Sequence, residues 1–146
     1  MGYVDSNLLQ GENVTYRANL HWAVFLAPIF FFVIAVIGFA LAVPVGVFFL
    51  LVALVVSLSR WLMYISSEFA ITDKRVLIKV GLIRRRTVEL LITKVETIGV
   101  DQGILGRIFN FGTITVTGTG GTKEPFASIA DPLEFRKQVQ ARLMNG

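Results

Sequence analysis

The stretch WAVFLAPIFFFVIAVIGFALAVPVGVFFLLVALVVSLS, residues 22–59, contains no ionisable side chain in 38 residues. A bilayer core of about 30 Å needs roughly 20 apolar helical residues, so this run is long enough for two membrane spans. Gly38, Pro44 and Gly46 interrupt it near the middle, and proline lacks the amide donor that a continuing helix needs. The sequence therefore predicts a transmembrane helical hairpin over residues 22–64, with helices over about 22–41 and 45–64.

Two other interpretations of this apolar run are weaker. A buried core hairpin would need enclosure on all sides, and the residues after position 65 are too few to enclose two helices that are apolar all round. The tripeptide ALA at residues 40–42 resembles a signal-peptidase site. The polar leader before the run is long and acidic on balance, however, which is untypical of a secretory signal.

The flanks of the hairpin predict its orientation. The short connection between the helices carries no Lys or Arg, whereas Arg17 and Arg60 lie at the outer ends of the two spans. By the positive-inside rule, both termini are expected on the cytoplasmic side of the cell inner (plasma) membrane, and residues 1–21 are expected to form a cytoplasmic N-terminal segment. Amphipathic and cationic side chains at these ends are expected to anchor the hairpin at the headgroup level, namely Trp22, Arg60, Trp61 and Tyr64.

Small residues recur along the first predicted helix. Ala35, Gly38 and Ala42 fall on nearly one helix face, which would permit close contact with another helix.

Residues 66–146 change to a period-two pattern that is rich in β-branched side chains. Turn signals separate the candidate strands, which favours an antiparallel meander of five to seven strands. The candidates read EFAIT, RVLIKV, RRRTVELL, KVETIGVD, GTITVTG and EPFASI. The chain then ends on a helix signal, in which Asp131 is the N-cap, Pro132 takes the first helical position and Glu134 completes a capping box. An apolar stripe on this helix, formed by Phe135, Val139 and Leu143, can cover the sheet.

Four pieces of this region carry a more specific resemblance. ITDKRV (71–76), GLIRRRT (81–87), LGRIFNFGT (105–113) and DPLEFR (131–136) resemble the bacterial pleckstrin-homology-like domain family of small membrane proteins. The resemblance implies two near-orthogonal antiparallel sheets, a mainly-β barrel or sandwich, closed by a C-terminal capping α-helix and preceded by a two-helix transmembrane hairpin. It implies function less well, because a fold alone does not fix function.

A basic cluster occupies the stretch ITDKRVLIKVGLIRRR, residues 71–86. If residues 81–83 form the loop, Lys79 lies opposite Arg85 and Arg75 lies opposite Glu89, so cations face one another at the tip. Anionic headgroups of the cytoplasmic leaflet are the nearest partners for such a tip. The predicted headgroup-binding residues are Arg75, Lys79, Arg84, Arg85 and Arg86. A defined pocket, a general surface attraction and a solvated or protein-binding face all remain open.

The connection DQGILGRIFNFG, residues 101–112, is expected to form a helical turn that packs into the core as a crossover. The alternative is an apolar edge that docks on the bilayer or on a partner.

Residues for catalysis and cofactors are scarce. The chain has no cysteine, and its single histidine, His21, precedes the hairpin, so Ser–His and Cys–His pairs are not expected in the sheet domain. The carboxylates follow no metal-ligand spacing, and GTGGTKE (118–124) lacks the order of a phosphate-binding loop. We expect no enzyme, no cofactor, no metal and no nucleic-acid partner. The predicted function is a non-catalytic membrane-anchored adaptor that binds lipid headgroups and a membrane-protein partner or its own copies. The alternative is a small accessory subunit of a larger membrane complex.

Overall fold

The computed structural model describes residues 2–145, and the chain forms two compact units. Of the described residues, 2–21 and 66–145 form one unit, and Trp22–Ile65 form the other. The apolar hairpin is therefore an insertion within the sheet unit. This arrangement differs from the predicted succession of an N-terminal segment, a hairpin and a separate sheet domain.

The N-terminal segment is part of the sheet unit. It forms a short helix, α1 (Tyr3–Asn7), and a strand, β1 (Val14–Ala18). The segment after β1 continues as an isolated bridge between Leu20 and Ile129. Its partners thus lie far along the chain, beyond the hairpin.

The hairpin unit begins with a 3-10 turn at Trp22–Phe25 that leads into α2 (Leu26–Leu41). Ala42 alone connects it to α3 (Val43–Ser66), which begins two residues earlier than predicted. Pro44 is accommodated because it lies in the first turn of α3. Backbone amides there have no acceptor within the helix, so the missing N–H of proline breaks no hydrogen bond. Trp22–Leu41, which includes the 3-10 turn, and α3 are each long and apolar enough to cross a membrane, and most of their side chains are exposed.

Close contact between the two helices depends on glycine. A Cβ atom on Gly38 would lie 3.1 Å from the Cα of Gly46, so the backbones meet at this point. Ala35 and Gly38 are buried, as a helix contact requires, but the contact is internal to the hairpin. Ala42 is exposed and lies in the connection, so its predicted place on the helix-packing face is wrong.

The sheet unit contains all six strands that the alternating segments predict. A four-stranded antiparallel sheet has the order β1-β2-β3-β4, and a three-stranded sheet has the order β5-β6-β7. A short helix, α4 (Ile104–Phe109), connects β5 to β6, and α5 (Pro132–Asn145) ends the chain. The strands after the hairpin are β2 (Glu68–Thr72), β3 (Arg75–Val80), β4 (Arg86–Leu91), β5 (Val95–Asp101), β6 (Phe111–Gly118) and β7 (Lys123–Ala130).

The core lies between the two sheets and under α5. The rings of Phe69 and Phe126 meet edge-on with centroids 6.1 Å apart, joining the inner faces of the sheets. Phe135 and Val139 of α5 are fully buried, and the ring of Phe135 meets Tyr16 of β1 at 6.3 Å. Two antiparallel sheets with a C-terminal helix are consistent with the pleckstrin-homology-like fold that the resemblance implies.

The start of α5 differs from its prediction in one detail. The helix begins at Pro132 as expected, but the Asp131 N–H donates to the Asn110 carbonyl at 3.1 Å. The Glu134 carboxylate instead accepts a hydrogen bond from Gln138 at 2.6 Å. The reciprocal capping box is therefore not formed, because both groups have other partners.

The outer face of the four-stranded sheet is also covered. Strict alternation along β3 would place Leu77 on the outer face of the sheet. Leu77 is nevertheless fully buried, in a cluster with Val4 and Ala70. Leu8 and Val14 pack against this cluster. The N-terminal segment thus provides the cover that makes β2 and β3 apolar on both faces.

Replacing Leu77 by alanine tests this cover. We expect Leu77→Ala to lower the free energy of unfolding by about 3 kcal/mol, because it leaves a cavity beneath α1. The midpoint of thermal unfolding of the detergent-solubilised full chain, followed by circular dichroism, should then fall by roughly 10 °C or more. Leu91→Ala is the matched control on the same face, where the side chain is 51% exposed. Equal effects of the two substitutions would contradict the burial of Leu77 by the N-terminal segment.

Candidate functional site

The basic loop between β3 and β4 is longer than predicted. Val80 pairs with Arg86, so the β3–β4 loop is Gly81–Arg85, five residues rather than three. Lys79 lies opposite Thr87 instead of Arg85, so the predicted facing of two cations is wrong. The reason is the loop's geometry at Gly81, which has φ +86° and whose added Cβ would lie 2.4 Å from the Arg84 carbonyl oxygen.

The register of the sheet fixes which end carries this loop. Ala18 pairs with Phe69, and Phe69 pairs with Ile78, two residues before β3 ends. The Gly81 N–H donates to the Ser67 hydroxyl oxygen at 3.4 Å. The β3–β4 loop therefore lies at the end of the sheet where β1 ends and β2 begins, and it contacts the residue that precedes β2.

The loop combines apolar and cationic side chains. Ile83 is 90% exposed and Leu82 is 55% exposed, which is unusual for large aliphatic residues. Arg84 is exposed beside them, and Lys79 is half-buried at the end of β3. The loop thus presents an apolar tip with cations at its base.

Two of the predicted arginines in this region have partners within the sheet unit. Arg86 forms an ion pair with Glu124, and its guanidinium lies 4.9 Å from the centre of the Phe126 ring. Arg85 lies 4.9 Å from the centre of the Tyr3 ring, a contact that orders the side chain and leaves its charge uncompensated. The net positive charge of the loop region is accordingly carried by Lys79, Arg84 and Arg85.

The predicted anchors of the hairpin gather at one end of that unit. The ring of Phe25 lies 6.5 Å from Trp61 and 5.4 Å from Tyr64, between centroids. Trp22, Arg60 and Trp61 are exposed or half-exposed there. The structure thus brings an aromatic cluster and a cation together at the ends of α2 and α3 that connect to the sheet unit in sequence.

Comparison with known families agrees with this architecture. A family model for the bacterial PH domain matches residues 24–143. The chain belongs to the bacterial PH domain family. PH-like domains are generally non-catalytic, and they often bind lipids or proteins. No curated protein and no solved structure matches the chain.

Arg75 of this bacterial PH domain is a structural residue. Its side chain is largely buried, with Nε 3.0 Å from Glu12 and Nη1 2.7 Å from Glu89. Nη2 also donates to the Asn7 carbonyl at 2.5 Å. These contacts hold the N-terminal segment on the sheet, and the binding of a headgroup by Arg75 stays a prediction.

Glu12, on the other side of this pair, was not singled out from the sequence. Its buried carboxylate accepts hydrogen bonds from the Thr72 hydroxyl at 2.6 Å and from the Leu9 N–H at 2.8 Å. Burial is the largest single influence and raises the pKa of Glu12, but the hydrogen bonds from Arg75, Thr72 and Leu9 together with the charge of Arg75 lower it to about 2. The carboxylate is therefore ionised at neutral pH and binds the guanidinium of Arg75.

The depressed pKa of Glu12 predicts acid sensitivity of the sheet unit. The folded pKa of about 2 lies below the ordinary 4.5, so stability is fully present above pH 4.5 and is lost as the pH falls toward 2. This difference corresponds to about 3 kcal/mol. We expect the midpoint of thermal unfolding to decline over this window and the decline to be smaller in Glu12→Gln, which already has a lower midpoint at neutral pH.

The control for this experiment is Glu96→Gln, which removes an exposed carboxylate from β5. It should keep both the neutral-pH midpoint and the acid-induced decline of the parent chain. An unchanged pH profile in Glu12→Gln would show that another group causes the acid sensitivity.

Proposed function

We propose that this chain is a non-catalytic adaptor, anchored by its hairpin in the inner (plasma) membrane of the cell. In this proposal the sheet unit and both termini lie on the cytoplasmic side. The β3–β4 loop contacts the anionic headgroups of the same membrane, and other surfaces of the sheet unit remain available to a partner protein.

The pairing of β1 with β2 supports a two-span anchor. Ala18 precedes the hairpin and Phe69 follows it, yet the two residues are neighbours in one sheet. Both ends of the hairpin must therefore lie on the same side of any membrane that it enters, and the number of crossings must be even. Two helices of sufficient length satisfy this condition.

Cleavage of a signal after α2 is incompatible with the same pairing. It would separate β1 and the buried Glu12 from the rest of the sheet, leaving Arg75 with Glu89 alone of its three partner residues. Cytoplasmic termini are supported by the charge distribution, because Arg17 and Arg60 lie near the outer ends of the spans and the connection at Ala42 carries no cation.

The position and composition of the β3–β4 loop carry the headgroup proposal. Each basic residue near an anionic leaflet contributes about 1 kcal/mol of attraction, and Lys79, Arg84 and Arg85 supply three such charges. Leu82 and Ile83 are exposed between them and add apolar area that can enter the interface. The loop lies at the end of the sheet where β1 ends and β2 begins, which supports a contact with the membrane that the hairpin enters in this proposal.

The alternative function, an accessory subunit of a larger membrane complex, has less support. The small residues that would permit contact with other spans, Ala35 and Gly38, are buried within the hairpin itself. The exposed side chains of α2 and α3 are large aliphatic and aromatic groups, which lipid covers as well as protein does.

A labelled loop tests the headgroup contact directly. The chain has no cysteine, so Ile83→Cys can carry a single environment-sensitive fluorophore in the reconstituted full chain. In vesicles of phosphatidylcholine with phosphatidylglycerol, we expect a blue-shifted emission that reverts in high salt, because screening weakens the attraction. The combined variant Lys79→Glu, Arg84→Glu, Arg85→Glu should abolish the shift.

The control for this experiment reverses three exposed lysines elsewhere on the sheet unit and changes the net charge equally. Lys74→Glu, Lys94→Glu, Lys137→Glu should retain the blue shift of the fluorophore in the loop. Emission that is the same with and without phosphatidylglycerol would rule out the headgroup contact. In that case, a stoichiometric protein that co-purifies with the chain in native nanodiscs would favour the accessory-subunit function.

A further inference from the structure

Helix α4 turns its large hydrophobic side chains away from the core. Ile104 is 82%, Leu105 54% and Ile108 66% exposed, so the predicted core-packing crossover is wrong. The residue that faces inward is Gly106, which is buried. A Cβ atom there would lie 2.4 Å from the carbonyl oxygen of Phe111, so no larger residue fits this contact. The helix is thus inverted with respect to an ordinary amphipathic element.

This exposure occurs on a well-formed helix. The Arg107 N–H donates to the Gly103 carbonyl at 3.0 Å, and Asn110 ends the helix in the left-handed conformation with its N–H on the Gly106 carbonyl. The Gln102 side chain donates to the Phe111 carbonyl at 3.2 Å, which fastens the start of the connection to β6. The exposed side chains therefore form a fixed apolar ridge, with Arg107 exposed on the same short helix.

The ridge lies beside the residue that leads into the hairpin. His21 is the last residue of the sheet unit before Trp22, and its ring stacks on Phe111 with centroids 5.0 Å apart and planes 25° apart. The imidazole also hydrogen-bonds to the backbone of Phe109, at the end of α4. The His21 N–H donates to the Ser128 carbonyl at 2.8 Å, which fixes this junction on β7.

We propose that α4 inserts into the boundary between headgroups and acyl chains of the membrane that the hairpin crosses. Ile104, Leu105 and Ile108 enter the hydrocarbon side of this boundary, and Arg107 extends to the phosphates. Lipid is the occupant that the position favours, because the next residue after His21 begins a membrane-spanning helix. The inference rests on the proposed membrane anchoring and adds a second contact that depends on apolar burial rather than on charge.

The immersion depth of α4 tests this inference. In the reconstituted full chain, a nitroxide on Ile108→Cys should relax more with oxygen than with a water-soluble nickel chelate. The same preference should hold in pure phosphatidylcholine vesicles and in high salt, since no anionic lipid is required. Leu105→Cys provides a second position on the ridge, and Arg107→Cys should report a shallower depth.

Two reference positions separate this inference from the proposed anchoring. Val36→Cys, on the exposed surface of α2, should report deep immersion, and Thr122→Cys, in the turn between β6 and β7, should report water. If the Ile108→Cys label is as accessible to the nickel chelate as a label in water while the Val36→Cys label is immersed, the inference is overturned and the anchoring stays intact. Water-like values for the Val36→Cys label would overturn the anchoring itself. Shielding of the Ile108→Cys label from both reagents would overturn the inference by showing that protein, either a second copy or a partner, covers α4.

Discussion

The pairing of β1 with β2 is the constraint on which the rest of the molecule depends. It makes neighbours of Ala18 and Phe69, although the whole hairpin lies between them in sequence. Through the register of the sheet, this pairing decides which end carries the hairpin connections, and therefore which loops lie beside them. The β3–β4 loop acquires its proposed relation to a membrane from this arrangement, whereas α4 acquires it from the position of His21 next to the hairpin in the chain.

The basic cluster illustrates how tertiary context divides residues of one type. Arg75 is enclosed by two carboxylates beneath the N-terminal segment, and Arg86 pairs with Glu124. Burying an ion pair is costly in desolvation and is tolerated when further hydrogen bonds complete it, as Thr72 does for Glu12. Because the charges of Arg75 and Arg86 are compensated by carboxylates, the net positive charge around the β3–β4 loop is smaller than the sequence suggests.

Much of the fold follows from the sequence, because the long uncharged run and the alternating segments are local signals. Strand β1 is not among the predicted strands although Val14, Tyr16 and Ala18 alternate correctly, since its partner lies beyond the hairpin. The predicted loop is two residues too short because a glycine with positive φ accommodates loops of several lengths. The orientation of α4 does not follow from the sequence because the close contact at Gly106, and not the apolar pattern, decides which face turns inward.

The insertion of the hairpin between β1 and β2 has a consequence for biosynthesis. During synthesis β1 leaves the ribosome first, and it cannot pair with β2 until the two apolar helices between them have been made. A chain in which only one helix enters the bilayer leaves β1 and β2 on opposite sides, with Glu12 and Arg75 separated from one another. Such a chain cannot complete the four-stranded sheet and exposes its unpaired strands to proteolysis. If the hairpin is anchored as proposed, completion of this small domain requires that both helices have entered the membrane.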